Sequence, residues 1–265
     1  MAFASGIISS ESIARRFEAL RAESRRALVC YVTAGHPSPS ATVELLQGLE
    51  EAGADVIELG VPFSDPVADG PAIQESSSIA LANGITLDSS LELLASARVS
   101  VPIVLFTYLN PLLAAGPDVL VRASAAGAAG ILVTDLPLGA DPAREQWLSD
   151  SDLDFIRLVA PTTPADRLAG ICDHASGFVY LISRMGVTGT RVEAPADAGP
   201  MVTRLRAVTH LPVCVGFGIS TPAQARAVAE MADGVVVGSA IVKAAGTSTS
   251  AALDLVRSMR EAMDG

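Results

Sequence analysis

The chain has 265 residues, 50% of them hydrophobic and 18% charged, and a formal net charge of −11. That composition supports a substantial buried core and excludes a disordered chain, while the negative field argues against nonspecific binding to nucleic acid or anionic membrane. The length fits one α/β barrel of about 250 residues or two small domains, so length alone does not choose.

The first stretch, SSESIARRFEALRAESRR (9–26), has helical periodicity and carries five arginines, which we read as the solvated face of an extra N-terminal helix. It lacks a basic start followed by an uninterrupted apolar core, and no later window holds enough continuous apolar residues for a membrane helix. The expected location is therefore cytoplasmic. Cys30, Cys172 and Cys214 are odd in number and form no CxxC pair, which argues against a disulfide framework and fits a reducing compartment. His36, His174 and His210 are equally scattered, and no metal site is expected.

Eight short apolar, β-branched segments then recur in chain order. They are ALVCYVT (27–33), DVIELG (55–60), VPIVLFTY (101–108), GILVT (130–134), DFIRLVA (154–160), GFVYLIS (177–183), PVCVGFG (212–218) and DGVVVGS (233–239). Amphipathic stretches such as SATVELLQGLEEAG, PDVLVRASAAG and TPAQARAVAEMA fill most intervals, and SAALDLVRSMREAM closes the chain. Apolar runs without polar alternation suit strands buried on both faces, and strand-helix alternation implies right-handed crossovers in a parallel sheet. The spacing predicts a single (β/α)8 TIM barrel over residues 1–265. A doubly wound open sheet is the competing architecture, but the GxGxxG fingerprint after the first strand is absent; TAGHPSPS follows instead, where Ser38 or Ser40 can cap a helix. The intervals after the second and sixth strands are conspicuously long, which predicts long loops over the C-terminal face, where barrels place their chemistry.

Two glycine-bearing turns stand after strands seven and eight. In GFGISTPAQARA, Ser220 or Thr221 can cap a helix with Pro222 in its first turn; in GSAIVKAAG, Gly238 and Ser239 offer amides and a hydroxyl. Helix starts of this kind bind anions, and paired loops at these positions in a barrel predict a phosphorylated substrate. Gly186 and Gly189 after strand six add to the pattern.

At the opposite end of the site, Glu58 sits inside an otherwise apolar strand, where burial raises a carboxyl pKa toward neutrality. Asp69 lies in the following turn, VADGP, and is either its acid/base partner or an ordinary turn residue. Asp65, before a proline, reads as turn-building. Lys243 is the only lysine and lies beyond strand eight, so Schiff-base chemistry at the second strand has no candidate.

These segments together resemble the alpha chain family of tryptophan synthase. The resemblance runs from LVCYVTAGHP through IELGVPFSDPVADGPAIQ, YLNPLL, TDLP, YLISRMGVTG and VGFGIS to VVGSAIVK. The second and fifth of these are specific to that family. It implies a carbon-carbon lyase, part of tryptophan biosynthesis, that cleaves indole-3-glycerol phosphate to indole and glyceraldehyde 3-phosphate by retro-aldol chemistry. It assigns Glu58 as the acid/base exchanging protons with indole C3 and the side-chain hydroxyl, and Asp69 as the carboxylate facing the indole nitrogen. Tyr180 falls on an active-site tyrosine and Thr188 on a closing-loop threonine that meets the aspartate. Gly189, Gly218, Gly238 and Ser239 fall on the phosphate cradle, and Tyr31, Phe106, Leu132, Leu158 and Phe217 on the indole pocket.

No cofactor is implied in this chain. The implied partner is a pyridoxal phosphate-dependent beta chain in an alpha2-beta2 heterotetramer, facing the segments near Asp65, around YLNPLLAAGPD and after TDLP. The sequence departs from the family in the LGADP that follows TDLP, where an acidic pair is common, and in Met185 beside Gly186. A free-standing lyase with the same catalytic residues is the near alternative; a sugar-phosphate isomerase or epimerase is more distant, and a noncatalytic regulatory subunit fits the intact carboxylates least.

Overall fold

The structure is a computed structural model that describes residues 12–182, 198–216 and 218–265. Eight strands, β1 (Ala27–Thr33), β2 (Val56–Gly60), β3 (Ile103–Thr107), β4 (Ala128–Val133), β5 (Asp154–Val159), β6 (Val179–Ile182), β7 (Val213–Gly216) and β8 (Gly234–Val237), pair in chain order into a closed parallel barrel. The predicted segments all become strands, each within a few residues of its expected limits.

Closure follows from a strict division of side chains. Residues such as Leu28, Cys30, Ile57, Leu59, Ile103, Leu105, Val213 and Val215 point outward into one core shared with the helices. Their alternates, including Val29, Val56, Val104, Leu132, Ile156, Phe178, Cys214 and Val236, fill the barrel interior. Both faces are apolar, so the strands read as continuous hydrophobic runs.

Helices α1 (Ile13–Ala22), α2 (Pro39–Glu51), α3 (Pro71–Ala82), α4 (Leu87–Ala97), α5 (Leu109–Ala115) and α6 (Val119–Ala126) belong to the first half. Helices α7 (Pro142–Ser149), α8 (Ala165–Asp173), α9 (Ala198–Arg206), α10 (Pro222–Ala229), α11 (Ser239–Thr247) and α12 (Thr249–Asp264) complete the layer. Ser38, not Ser40, caps α2 by accepting from the Ala41 amide at 3.2 Å, and Thr221, not Ser220, supplies the side-chain cap of α10. The long interval after β2 is less loop than expected. It holds a loop over 61–70 and then two helices, α3 and α4, because PAIQESSSIALA continues helically from Pro71 at its first turn. The long segment after β6 lies outside the described residues.

The extra N-terminal helix closes the bottom of the barrel. Ile13, Phe17 and Leu20 are buried in the interior cluster, with Phe17 and Phe178 ring centroids 6.0 Å apart. Of its arginines, Arg15 and Arg21 are solvated as expected, but Arg16 reaches the fully buried Asp55 at 2.5 Å. Asp55 also accepts from Arg260 of α12 at 2.9 Å and from the Leu28 amide at 2.8 Å. One carboxylate thus joins the first helix, β1, β2 and the last helix.

Candidate active site

Strand alternation decides where Glu58 goes. With Ile57 and Leu59 committed to the outer core, Glu58 must point inward, above Val56 and beside Tyr31 and Val104, its register partners on β1 and β3. It is 1% exposed, and its Oε1 has no hydrogen-bond partner among the described residues. Burial raises its pKa to about 8, so at neutral pH it holds a proton that an exposed glutamate releases.

Asp69 approaches from the 61–70 loop. Its Oδ2 accepts from the Tyr108 hydroxyl at 3.0 Å, and its backbone carbonyl accepts from Gln74 Nε2 at 2.9 Å. Burial raises its pKa to about 6 against the opposing pull of the Tyr108 bond, which leaves it largely ionised at neutral pH. Asp65 is exposed, accepts from Ser64 Oγ at 2.6 Å through its side chain and from the Val67 amide at 2.9 Å through its carbonyl, and builds the turn.

Both carboxyl groups line one cavity at the C-terminal face that opens to solvent. Tyr31, Phe106, Leu158 and Tyr180 form its apolar walls, and Gly218, Gly238 and Ser239 line it from the loops after β7 and β8. The structure therefore brings together nine of the thirteen sequence-predicted site residues. Thr188, Gly189 and Phe217 lie outside the described residues, as do Gly186 and Met185. Leu132 departs from the expectation: it is fully buried in the barrel interior and is not one of the residues lining the cavity, although Phe106, its register partner on β3, does line it.

The two glycine turns are not equivalent. At α10 the Ser220 and Thr221 amides both donate to Gln224 Oε1, at 2.9 and 3.2 Å, so this helix start is occupied by its own capping box. The expected anion site there reduces to Gly218, whose φ of +80° is open to glycine and strained for other residues. At α11 the cap residue Gly238 has no side chain and makes no side-chain cap bond; Gly238 and Ser239 line the cavity at this helix start, where first-turn amides lack intrahelical acceptors. An anionic group fits at this end, opposite the carboxyl pair.

Sequence reasoning missed Tyr108, Thr134 and Ile73. Thr134 and Ile73 line the cavity, whereas Tyr108 is 2% exposed and meets Asp69 from behind. A hydroxyl-bearing aromatic at the end of the third predicted strand was the available signal for Tyr108. Lys243 is exposed on α11 and does not line the cavity, and among the described residues no cluster of His, Cys, Asp or Glu could hold a metal.

Gly60 sets how closely Tyr31 can fold over the strand. A Cβ there would stand 2.0 Å from the Tyr31 hydroxyl oxygen and 2.5 Å from Cζ. Gly60→Ala is accordingly expected to destabilise the fold by about 1–3 kcal/mol in urea unfolding, the usual cost of overpacking. Wild-type stability in that variant would mean that the ring turns aside freely.

The tryptophan synthase alpha chain family model matches residues 17–264. A curated relative, the tryptophan synthase alpha chain of Desulfatibacillum aliphaticivorans, is 49% identical over 86% of this chain and 87% of its own. The tryptophan synthase of Saccharomyces cerevisiae is 43% identical over 89% of this chain, a match that covers 34% of the yeast protein. Among solved structures, the tryptophan synthase subunit alpha of Legionella pneumophila superposes with a TM-score of 0.86 at 37% identity, covering 95% of this chain and 98% of that one. With a barrel of this topology, a family match over nearly its whole length and relatives at this identity, the chain belongs to the tryptophan synthase alpha chain family.

Proposed function

We propose that the chain cleaves indole-3-glycerol phosphate to indole and glyceraldehyde 3-phosphate, as the lyase component of a tryptophan synthase. The observation that carries this reading is the pairing, in one cavity, of a buried glutamic acid of pKa about 8 with an aspartate of pKa about 6, opposite a helix start suited to phosphate.

The chemistry follows from the charge states. Protonated Glu58 donates to indole C3, and the ring becomes an iminium-like electron sink whose positive charge develops at nitrogen, faced by the Asp69 carboxylate. Glu58, now a carboxylate, takes the proton of the side-chain hydroxyl; the carbon-carbon bond breaks, its electron pair returns to the ring, and the aldehyde leaves. The enzyme ends in its starting protonation state. Tyr31, Phe106, Leu158 and Tyr180 enclose the ring, while Gly218, Gly238 and Ser239 hold the phosphate. On family resemblance alone, Thr188 meets Asp69 when its loop closes, and Gly189 and Phe217 complete the cradle and pocket.

The reading extends to a beta chain that holds pyridoxal phosphate, in an alpha2-beta2 assembly in the cytoplasm. Val67 in the 61–70 loop is 84% exposed and Leu113 on α5 is 39% exposed, apolar groups on the segments assigned to the partner. No helix among the described residues is long and apolar enough to cross a membrane.

The test is indole release from indole-3-glycerol phosphate by the purified chain, alone and with a beta chain. Strong stimulation is the expected result. High activity alone without stimulation would make it a free-standing lyase, and no cleavage under either condition would overturn the reading.

A further inference from the structure

We propose that Tyr108 is the positioning residue for the Asp69 carboxylate, held in place by the end of β4. The inference rests on the proposed role of Asp69, and its geometry is independent of that role. The Tyr108 oxygen accepts the Ala68 amide at 3.0 Å, and its proton is donated to Asp69 Oδ2 at 3.0 Å. A single hydroxyl therefore grips both the backbone before Asp69 and the carboxylate itself. Because its oxygen is already engaged by an N–H, the hydroxyl is oriented to donate, which favours the ionised form of Asp69.

Tyr108 is itself unusually well fastened. Its ring is 2% exposed and packs on Phe63 of the same loop, with centroids 5.1 Å apart. On one side, the Thr107 carbonyl accepts from the Thr134 amide at 3.0 Å and from its hydroxyl at 3.3 Å. On the other side, the Leu109 amide donates to Asp135 Oδ1 at 2.8 Å. Both backbone neighbours of Tyr108 are thus tied to consecutive residues of TDLP. Tyr108 does not line the cavity, so it acts on the reaction through Asp69 and not on the substrate.

Among the described residues, the other titratable groups facing Asp69 are the Tyr31 hydroxyl from β1 and the Tyr180 hydroxyl from β6, with Glu58 of β2 in the same cavity. Burial raises the two tyrosines above their ordinary range, so near neutral pH they stay uncharged. A change in Asp69 ionisation on altering Tyr108 is then traceable to the lost bond.

The experiment is Tyr108→Phe, read two ways. A carbon-13 carboxyl NMR titration of the free chain follows the Asp69 pKa directly, and steady-state kinetics give kcat, KM and the pH profile of indole release. Removing a donor to the carboxylate is expected to raise the Asp69 pKa by about one unit and to lower kcat about tenfold, with KM nearly unchanged. The acid limb of the pH profile should move upward with the NMR value. An unchanged Asp69 pKa, or a kcat within about twofold of wild type, overturns the proposal. If the NMR shift appears in a chain whose wild type releases no indole, the positioning role stands and the assigned reaction falls. If Tyr108→Phe does not fold, Asp135→Ala carries the test: freeing Leu109 should raise the Asp69 pKa in the same direction by less, and no rise overturns the proposal.

Discussion

Glu58→Gln is expected to reduce indole release by at least about a hundredfold, the scale of lost general acid-base catalysis, while leaving substrate affinity nearly intact. Glutamine preserves the shape of the side chain but neither delivers nor removes a proton. The same variant carries a second signature in stability. An exposed glutamate ionises near 4.5, whereas folded Glu58 ionises near 8. Between those values the unfolded chain releases a proton that the folded chain retains, so rising pH favours unfolding; the loss begins near 4.5 and is complete above about 8. At about 1.4 kcal/mol per pH unit, this group costs on the order of 3 kcal/mol at pH 7. Glutamine removes that dependence but leaves a buried amide with an offsetting cost of about 1–3 kcal/mol. The net expectation is a variant at least as stable as wild type at pH 8 and relatively less stable at pH 5, measured by urea unfolding across that range. Near-normal turnover would remove Glu58 from the mechanism; a stability difference that does not vary with pH would mean that Glu58 is not a protonated buried acid.

Asp69→Asn is expected to cost about a hundredfold as well, for a different reason. Asparagine still accepts from the Tyr108 hydroxyl and keeps the loop in place, so what disappears is the negative charge opposite the indole nitrogen. The two losses should separate in the pH dependence of kcat/KM. The wild-type profile is expected to rise through about 6 as Asp69 ionises and to fall through about 8 as Glu58 loses its proton. Residual activity in Asp69→Asn should keep the alkaline limb and lose the acid one, and Glu58→Gln should show the reverse. A flat profile in wild type would contradict both assignments.

The barrel was legible because each strand is buried on both faces, and an apolar run of the right length between turn signals leaves little else for it to be. Glu58 was legible for the same reason: a charge in such a run contradicts its surroundings. What escaped the reading depends on distance in sequence. The bond between Tyr108 and Asp69 spans 39 residues and requires the end of β4 to fix the end of β3. Leu132 lies in the barrel interior as expected but does not line the cavity, because a strand pattern gives the face of a side chain but not its height in the barrel. The α10 helix start looked like an anion site because its glycines and cap were visible, whereas the return of Gln224 onto its amides is a local geometry that composition does not announce. The extra helix after β2 is hidden in the sequence because PAIQESSSIALA, with its five polar positions in a row, lacks a strong apolar stripe.

The ion cluster at the base of the barrel bears on how the chain is made. Asp55 emerges from the ribosome soon after Arg16, but Arg260 follows only 205 residues later. Until then a carboxylate destined for full burial lacks one of its two cations, and an incomplete charge pair is strongly unfavourable in a core. The second of the two ion pairs that neutralise Asp55 in the barrel floor therefore forms only once Arg260 of α12 is available.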